Sequence, residues 1–171
     1  MYWQTLELVE KVFGKEHPNT LTSMNNLAII LRHQGKYEEA EQMPRQALVL
    51  REKVMGKEHP KTLDSMNNLS NVLRDQGKYE EAEQIHWQTL ELREKMMGKE
   101  HPKTLDSMNN LANVLYYRGK YEKAEQIHRQ TFELRKKVLG KEHLDTVMTM
   151  NNLARVLLHQ GKNEEAEQLR R

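Results

Sequence analysis

Between residues 63 and 73, Leu63, Met66, Leu69, Ser70 and Leu73 recur three and four positions apart, the spacing that lines one face of an α-helix. A second series follows Gly77: Tyr79, Ala82, Ile85, Thr89, Leu92 and Met96 keep the same period and predict a second helix with this set on its buried face. Gly77 and Gly98 end the two helices, since glycine accepts the left-handed conformation that closes a helix C-terminus. His-Pro restarts the chain, with Pro60 or Pro102 near the first helical position, where a missing N–H costs nothing. In the last copy Leu144 replaces the proline, and Asp145 is the expected start signal. Pro44 falls inside a predicted helix and predicts a kink or weakened turn. Its counterparts His86 and His128 are expected to face outward or toward the next repeat.

The pattern is periodic. Gly14, Gly56, Gly98 and Gly140 each open a Gly-Lys-Glu-His stretch 42 residues after the one before, and Gly35, Gly77, Gly119 and Gly161 keep the same interval. The stretches 56–97 and 98–139 differ at ten positions. The chain therefore parses as one array over 1–171: a partial second helix over 1–13, full repeats at 14–55, 56–97 and 98–139, and a truncated repeat at 140–171. A helical pair of this kind cannot bury its apolar face alone, so neighbours must stack to make the core.

These residues resemble the tetratricopeptide repeat in its longer 42-residue form, found in kinesin light chains and in the repeat regions of some NB-ARC-type NTPases. The resemblance rests on Leu21, Asn25-Asn26-Leu27-Ala28 and Gly35-Lys36-Tyr37-Glu38-Glu39-Ala40, and on the Gly-x-x-His-Pro joint. It spans essentially the whole chain and implies an all-α fold, a right-handed solenoid of stacked antiparallel helix pairs. Thr89 and Thr131 depart from the usual alanine of the second helix, and Asn163 from the tyrosine.

Composition narrows the function. With 37% hydrophobic residues the core is thin, and no apolar run approaches the roughly 18–20 residues of a membrane span. A net charge of +2 argues against nucleic acid as the main partner. The absence of cysteine rules out disulfides and thiolate metal sites, and fits a cytoplasmic protein. The residues His17, His59, His101 and His143 come one per repeat, too far apart for one metal ion, and are better suited to fixing the turns by hydrogen bonding. No nucleophile–base pattern, phosphate loop or HExxH motif is present, so neither a cofactor nor an enzyme is expected.

One feature resists a purely structural account. Asparagine is a mediocre helix former, yet Asn25-Asn26, Asn67-Asn68, Asn109-Asn110 and Asn151-Asn152 recur in mid-helix. In tetratricopeptide arrays the equivalent stripe lines the concave wall, so two ladders are expected: Asn25, Asn67, Asn109, Asn151, and beside them Ile29, Asn71, Asn113, Arg155. An amide donates and accepts, and can grip the main chain of an extended peptide. The alternative is that these amides join neighbouring first helices and hold the stack.

The end of the first helix varies instead: Arg32-His33, Arg74-Asp75, Tyr116-Tyr117, Leu158-His159. Tyr116 and Tyr117 suit an interface because tyrosine gives contact area at low entropic cost. Arg32 and Arg74 can pair with acidic residues of a ligand, as the kinesin-light-chain resemblance implies. Positions that would clamp a terminal carboxylate hold Asn and Asp, so such a clamp is not expected.

The sequence thus predicts a scaffold binding a protein or peptide segment in the concave groove. Trp3 and Trp87 sit at equivalent places on second helices, where Trp87 is either a contact on the convex side or simply an exposed residue. The rival reading is a structural module whose uncapped ends associate with other copies, end to end or by exchange of terminal helices.

Overall fold

The computed structural model describes residues 2–169, and among these it contains nine helices and no strand. They are α1 (Tyr2–Phe13), α2 (Pro18–His33), α3 (Tyr37–Met55), α4 (Pro60–Asp75), α5 (Tyr79–Met97), α6 (Pro102–Tyr117), α7 (Tyr121–Leu139), α8 (Leu144–His159) and α9 (Asn163–Leu169). First helices of 16 residues (α2, α4, α6, α8) alternate with second helices of 19 (α3, α5, α7). The chain divides between Ile85 and His86 into two compact halves.

Each first helix begins the same way. His17, His59, His101 and His143 are N-cap residues with extended backbone, and each Nδ1 accepts from the backbone N–H two residues on, at 3.1–3.2 Å. Histidine thus does the work usually given to Ser or Asp at a cap. This corrects the expectation for the last repeat: His143 is the cap, and Asp145 supplies the N–H that His143 accepts. Each first helix ends on a left-handed glycine. Gly77 has φ +79°, which lets the Lys78 N–H reach back to the Leu73 carbonyl at 2.8 Å.

In the first half, Leu21, Leu27 and Leu31 of α2 pack with Ala40, Met43 and Ala47 of α3 and with Leu6 of α1. In the second half, Leu105, Met108, Leu111 and Leu115 of α6 form a core with Ala124 of α7, Leu90 of α5 and Val156 of α8. A smaller cluster joins Leu153, Ala154 and Leu157 to Ala166 of α9. The predicted stripe of α4 is buried throughout. On α5 the buried side runs through Ala82, His86, Thr89, Leu90 and Arg93, and Met96, expected inside, is 40% exposed.

The helix α3 runs through Pro44 without interruption, and Pro44 is buried. Of the two placements expected for His86 and His128, at the matching places, the inward one holds: both are fully buried, and His128 lies near Arg155 of the next repeat. The site is an enclosed interior slot, which a proline ring or a neutral imidazole fills without meeting water. Burial, reinforced by the nearby charges of Arg155 and Arg135, pushes the His128 imidazole down to about 3.

The joints between consecutive helices are ionic as well as apolar. Arg51, at the end of α3, is buried; its Nη1 donates to the Lys61 carbonyl at 2.7 Å and to Ser65 Oγ at 2.8 Å on α4. The same clamp appears as Arg93 on Lys103 O and Ser107 Oγ, and as Arg135 on Asp145 O and Thr149 Oγ1. On the second helices, Arg45 bridges Glu41 at 2.7 Å and Glu81 at 2.6 Å, while Lys78 also reaches Glu41. The second half repeats this with Arg129 between Glu125 and Glu165, and Lys162 on Glu125.

Candidate peptide-binding walls

The residues singled out in the sequence all lie on first helices, which form one wall in each half: α2 with α4, and α6 with α8. Helical periodicity puts the apolar stripe into the core and leaves the amide stripe beside it, so each wall joins a buried seam to a more accessible edge.

In the first half, Asn25 is buried and its Nδ2 donates to Ser65 Oγ at 2.9 Å, the hydroxyl that also accepts from Arg51. Asn25 therefore holds α2 to α4, the alternative use foreseen for these amides. Asn67 and Asn71 are half-buried on α4, and Asn71 Oδ1 accepts from Arg74 Nη1 at 3.4 Å. At the C-terminal edge, Arg32 Nε lies 3.6 Å from Asp75 Oδ2, and Arg74 Nη2 lies 2.7 Å from Asp75 Oδ1. Two guanidinium groups thus share one carboxylate. The edge keeps an excess positive charge on side chains about one-fifth exposed.

In the second half, Asn109 is buried and its Oδ1 accepts from Asn152 Nδ2 at 3.2 Å, joining α6 to α8. Asn113 is half-buried and its Oδ1 accepts from Arg155 Nη2 at 3.2 Å, while Asn151 is exposed. The edge here is aromatic. The Arg155 guanidinium lies 4.5 Å from the centre of the Tyr116 ring and 5.8 Å from that of Tyr117. Tyr116 also meets Tyr117, Tyr121 and His159 edge-on, with ring centres 5.1–5.6 Å apart. Tyr116 is half-buried in this cluster, and Tyr117 stands at its rim, 46% exposed.

Such walls can donate and accept hydrogen bonds and offer cations and aromatic faces. Among the described residues no group of three or more His, Asp or Glu side chains is placed to hold a metal ion, and no helix is long and apolar enough to cross a membrane. Sequence reasoning named the Arg and Tyr positions but missed that Asp75 ties two arginines together and that Arg155 is the cation of the aromatic edge. It also missed the clamps made by Arg51, Arg93 and Arg135, although their 42-residue recurrence was there to be read.

The family model of the tetratricopeptide repeat matches residues 1–53, 27–95, 62–137 and 103–169. No curated protein matches the chain. Among solved structures, it is similar to a Podosopora anserina protein assigned as a kinesin light chain with nearly identical TPR-like repeats. That match has a TM-score of 0.81 and 27% identity, over 98% of this chain and 80% of the other. BtubC (BKLC) from P. vanneervenii has the same fold, with a TM-score of 0.82 and 22% identity over 98% of this chain and 67% of that one. So has the apo form of RapI, with a TM-score of 0.80 and 15% identity over 97% and 59%. Repeat length, helix pairing and family match agree: the chain belongs to the tetratricopeptide repeat family and is of the kinesin-light-chain-like type.

Proposed function

We propose that this chain is a scaffold that captures a protein or peptide segment along the walls of its first helices. Tetratricopeptide repeat proteins are in general protein–protein interaction scaffolds and are typically not enzymes, which supports the reading. The observation that carries it is a division of labour between the joints of the stack and the ends of the first helices. The histidine cap is the same in every repeat, and the clamping arginine is the same at three joints. The helix ends differ, with Arg32, Arg74 and Asp75 on one wall and Tyr116, Tyr117 and Arg155 on the other. A scaffold that needs identical joints but a particular partner would vary its contact edge in this way.

In this reading Asn67, Asn71, Asn113 and Asn151 contact the ligand main chain, Arg32 and Arg74 take acidic side chains, and Tyr117 supplies apolar contact. Asn25 and Asn109 hold the wall that presents them. Peptide-display selection against the chain tests this: enrichment of a shared motif whose binding falls in Arg32→Ala/Arg74→Ala or Tyr117→Ala supports it.

A second reading, self-assembly, is favoured by the exposure of Leu8, Val12 and Phe13 on α1. Sedimentation mass that rises with concentration, with no selectable peptide, would favour it over ligand capture.

A further inference from the structure

The face of α5 that carries Trp87 belongs to neither wall. Trp87, Glu91 and Glu94 stand at i, i+4 and i+7, so they fall within about 60° of one another around the helix. With Leu90 they line an open hollow of about 290 Å³, and the indole is 46% exposed. Among the described residues no ion pair occupies the Glu91 or Glu94 carboxylate.

The neighbouring repeats show what has changed. The counterparts of Trp87 on α3 and α7 are Arg45 and Arg129, each held between two glutamates. Placing an indole here removes that bridge. In the same half Lys123 stands where Glu81 and Glu165 accept in the other repeats. What stands beside the exposed indole is Glu91 and Glu94, whose carboxylates form no ion pair among the described residues.

The same hexapeptide, Trp-Gln-Thr-Leu-Glu-Leu, occurs at residues 3–8 and 87–92, with a glutamate two further on in each. In the α1 copy Trp3 is 43% exposed, and the Lys15 ammonium lies 3.4 Å from Glu10. There the chain's own cation has come to rest at the edge of the motif.

We propose that this face of α5 docks a basic segment of a partner protein, receiving an arginine side chain flat on the Trp87 indole with its guanidinium toward Glu91 and Glu94. Charge complementarity selects the occupant: an indole attracts a cation over its face, and carboxylates take the remaining donors. Arginine fits better than lysine because its planar group can stack and donate together.

The test titrates the full chain with acetyl-Gly-Arg-Gly-Arg-Gly-amide and with its neutral citrulline counterpart, following the Trp87 indole N–H by NMR. The arginine peptide should shift that signal and bind about tenfold more tightly than the citrulline peptide, with the difference shrinking at high salt. Trp87→Arg restores the residue of the neighbouring repeats and should keep the fold while abolishing the difference. Glu91→Gln/Glu94→Gln should reduce it. Equal binding of the two peptides, or an undiminished preference in Trp87→Arg, would overturn the proposal. So would self-association that Trp87→Arg abolishes without any response to peptide, which would assign the face to a second copy.

Discussion

Arg51 and Ser65 lie 14 positions apart in sequence and 2.8 Å apart in space, guanidinium to hydroxyl, and the pair recurs as Arg93–Ser107 and Arg135–Thr149. Each arginine crosses from the end of a second helix into the opening turns of the next first helix. A buried guanidinium is expensive to desolvate, and its hydrogen bonds to a carbonyl and a hydroxyl offset that cost while fixing the angle between helices. Replacing Arg93 with alanine strands the Lys103 carbonyl and the Ser107 hydroxyl. Denaturant unfolding of Arg93→Ala should show a loss of about 2–4 kcal/mol; a change below about 0.5 kcal/mol would mean the clamp is incidental.

Stability should decline in acid, beginning near pH 6.5. His128 is held neutral, down to about 3, by burial and the arginines beside it, whereas in the unfolded chain it protonates near its ordinary value of 6.5. The unfolded state then binds the extra proton, so this contribution is complete above pH 6.5 and is lost as pH falls toward 3, by up to about 1.4 kcal/mol per pH unit. Its two ring nitrogens make no hydrogen bond among the described residues, so a nonpolar replacement strands no partner. Melting of His128→Leu across pH 4–7 should give a shallower pH slope than the parent.

Glu41 adds a second, lower window. Burial raises its pKa, but hydrogen bonds from Lys78, Arg45 and Gln76 outweigh this and hold the carboxyl at about 2. The folded pKa is depressed, so the stabilisation is present above the ordinary value of 4.5 and is lost as pH falls toward 2. Glu41→Gln should cost about 1 kcal/mol at pH 7, since part of the pairing faces solvent. The cost should vanish near pH 2, as urea titrations at both pH values would show.

Gly77 closes α4 with φ +79° and open space around a would-be Cβ. Alanine there should cost about 1 kcal/mol through backbone conformation alone. Thermal melting that finds Gly77→Ala neutral would refute the left-handed closure.

Much of this was legible in the sequence because period and punctuation are local. The 42-residue interval, the glycine stops and the alternation of two helices follow from spacing and turn chemistry. What was not legible depends on tertiary enclosure. Periodicity gave Met96 to the interior, but it cannot tell where the next helix ceases to cover the last turn. Pro44 predicted a kink or weakened turn because a proline lacks its N–H, and spacing alone did not show that α3 continues through it with the ring buried. Whether His86 and His128 face outward or toward the next repeat was not legible, because nothing local marks an interior slot. At the walls, residue type pointed to the right helices, while the division of the amides between seam and edge needed coordinates: Asn25 and Asn109 face a neighbouring helix, whereas Asn151 faces solvent.

The most direct test of the central claim is calorimetric titration of one display-selected peptide into the parent chain, Arg32→Ala/Arg74→Ala, Tyr117→Ala and Asn25→Ala. If wall edges bind while joints only hold, at least one edge variant should lose tenfold or more in affinity, about 1.4 kcal/mol. Asn25→Ala should bind as the parent does and melt at a lower temperature. Unchanged affinity in every edge variant would contradict the account.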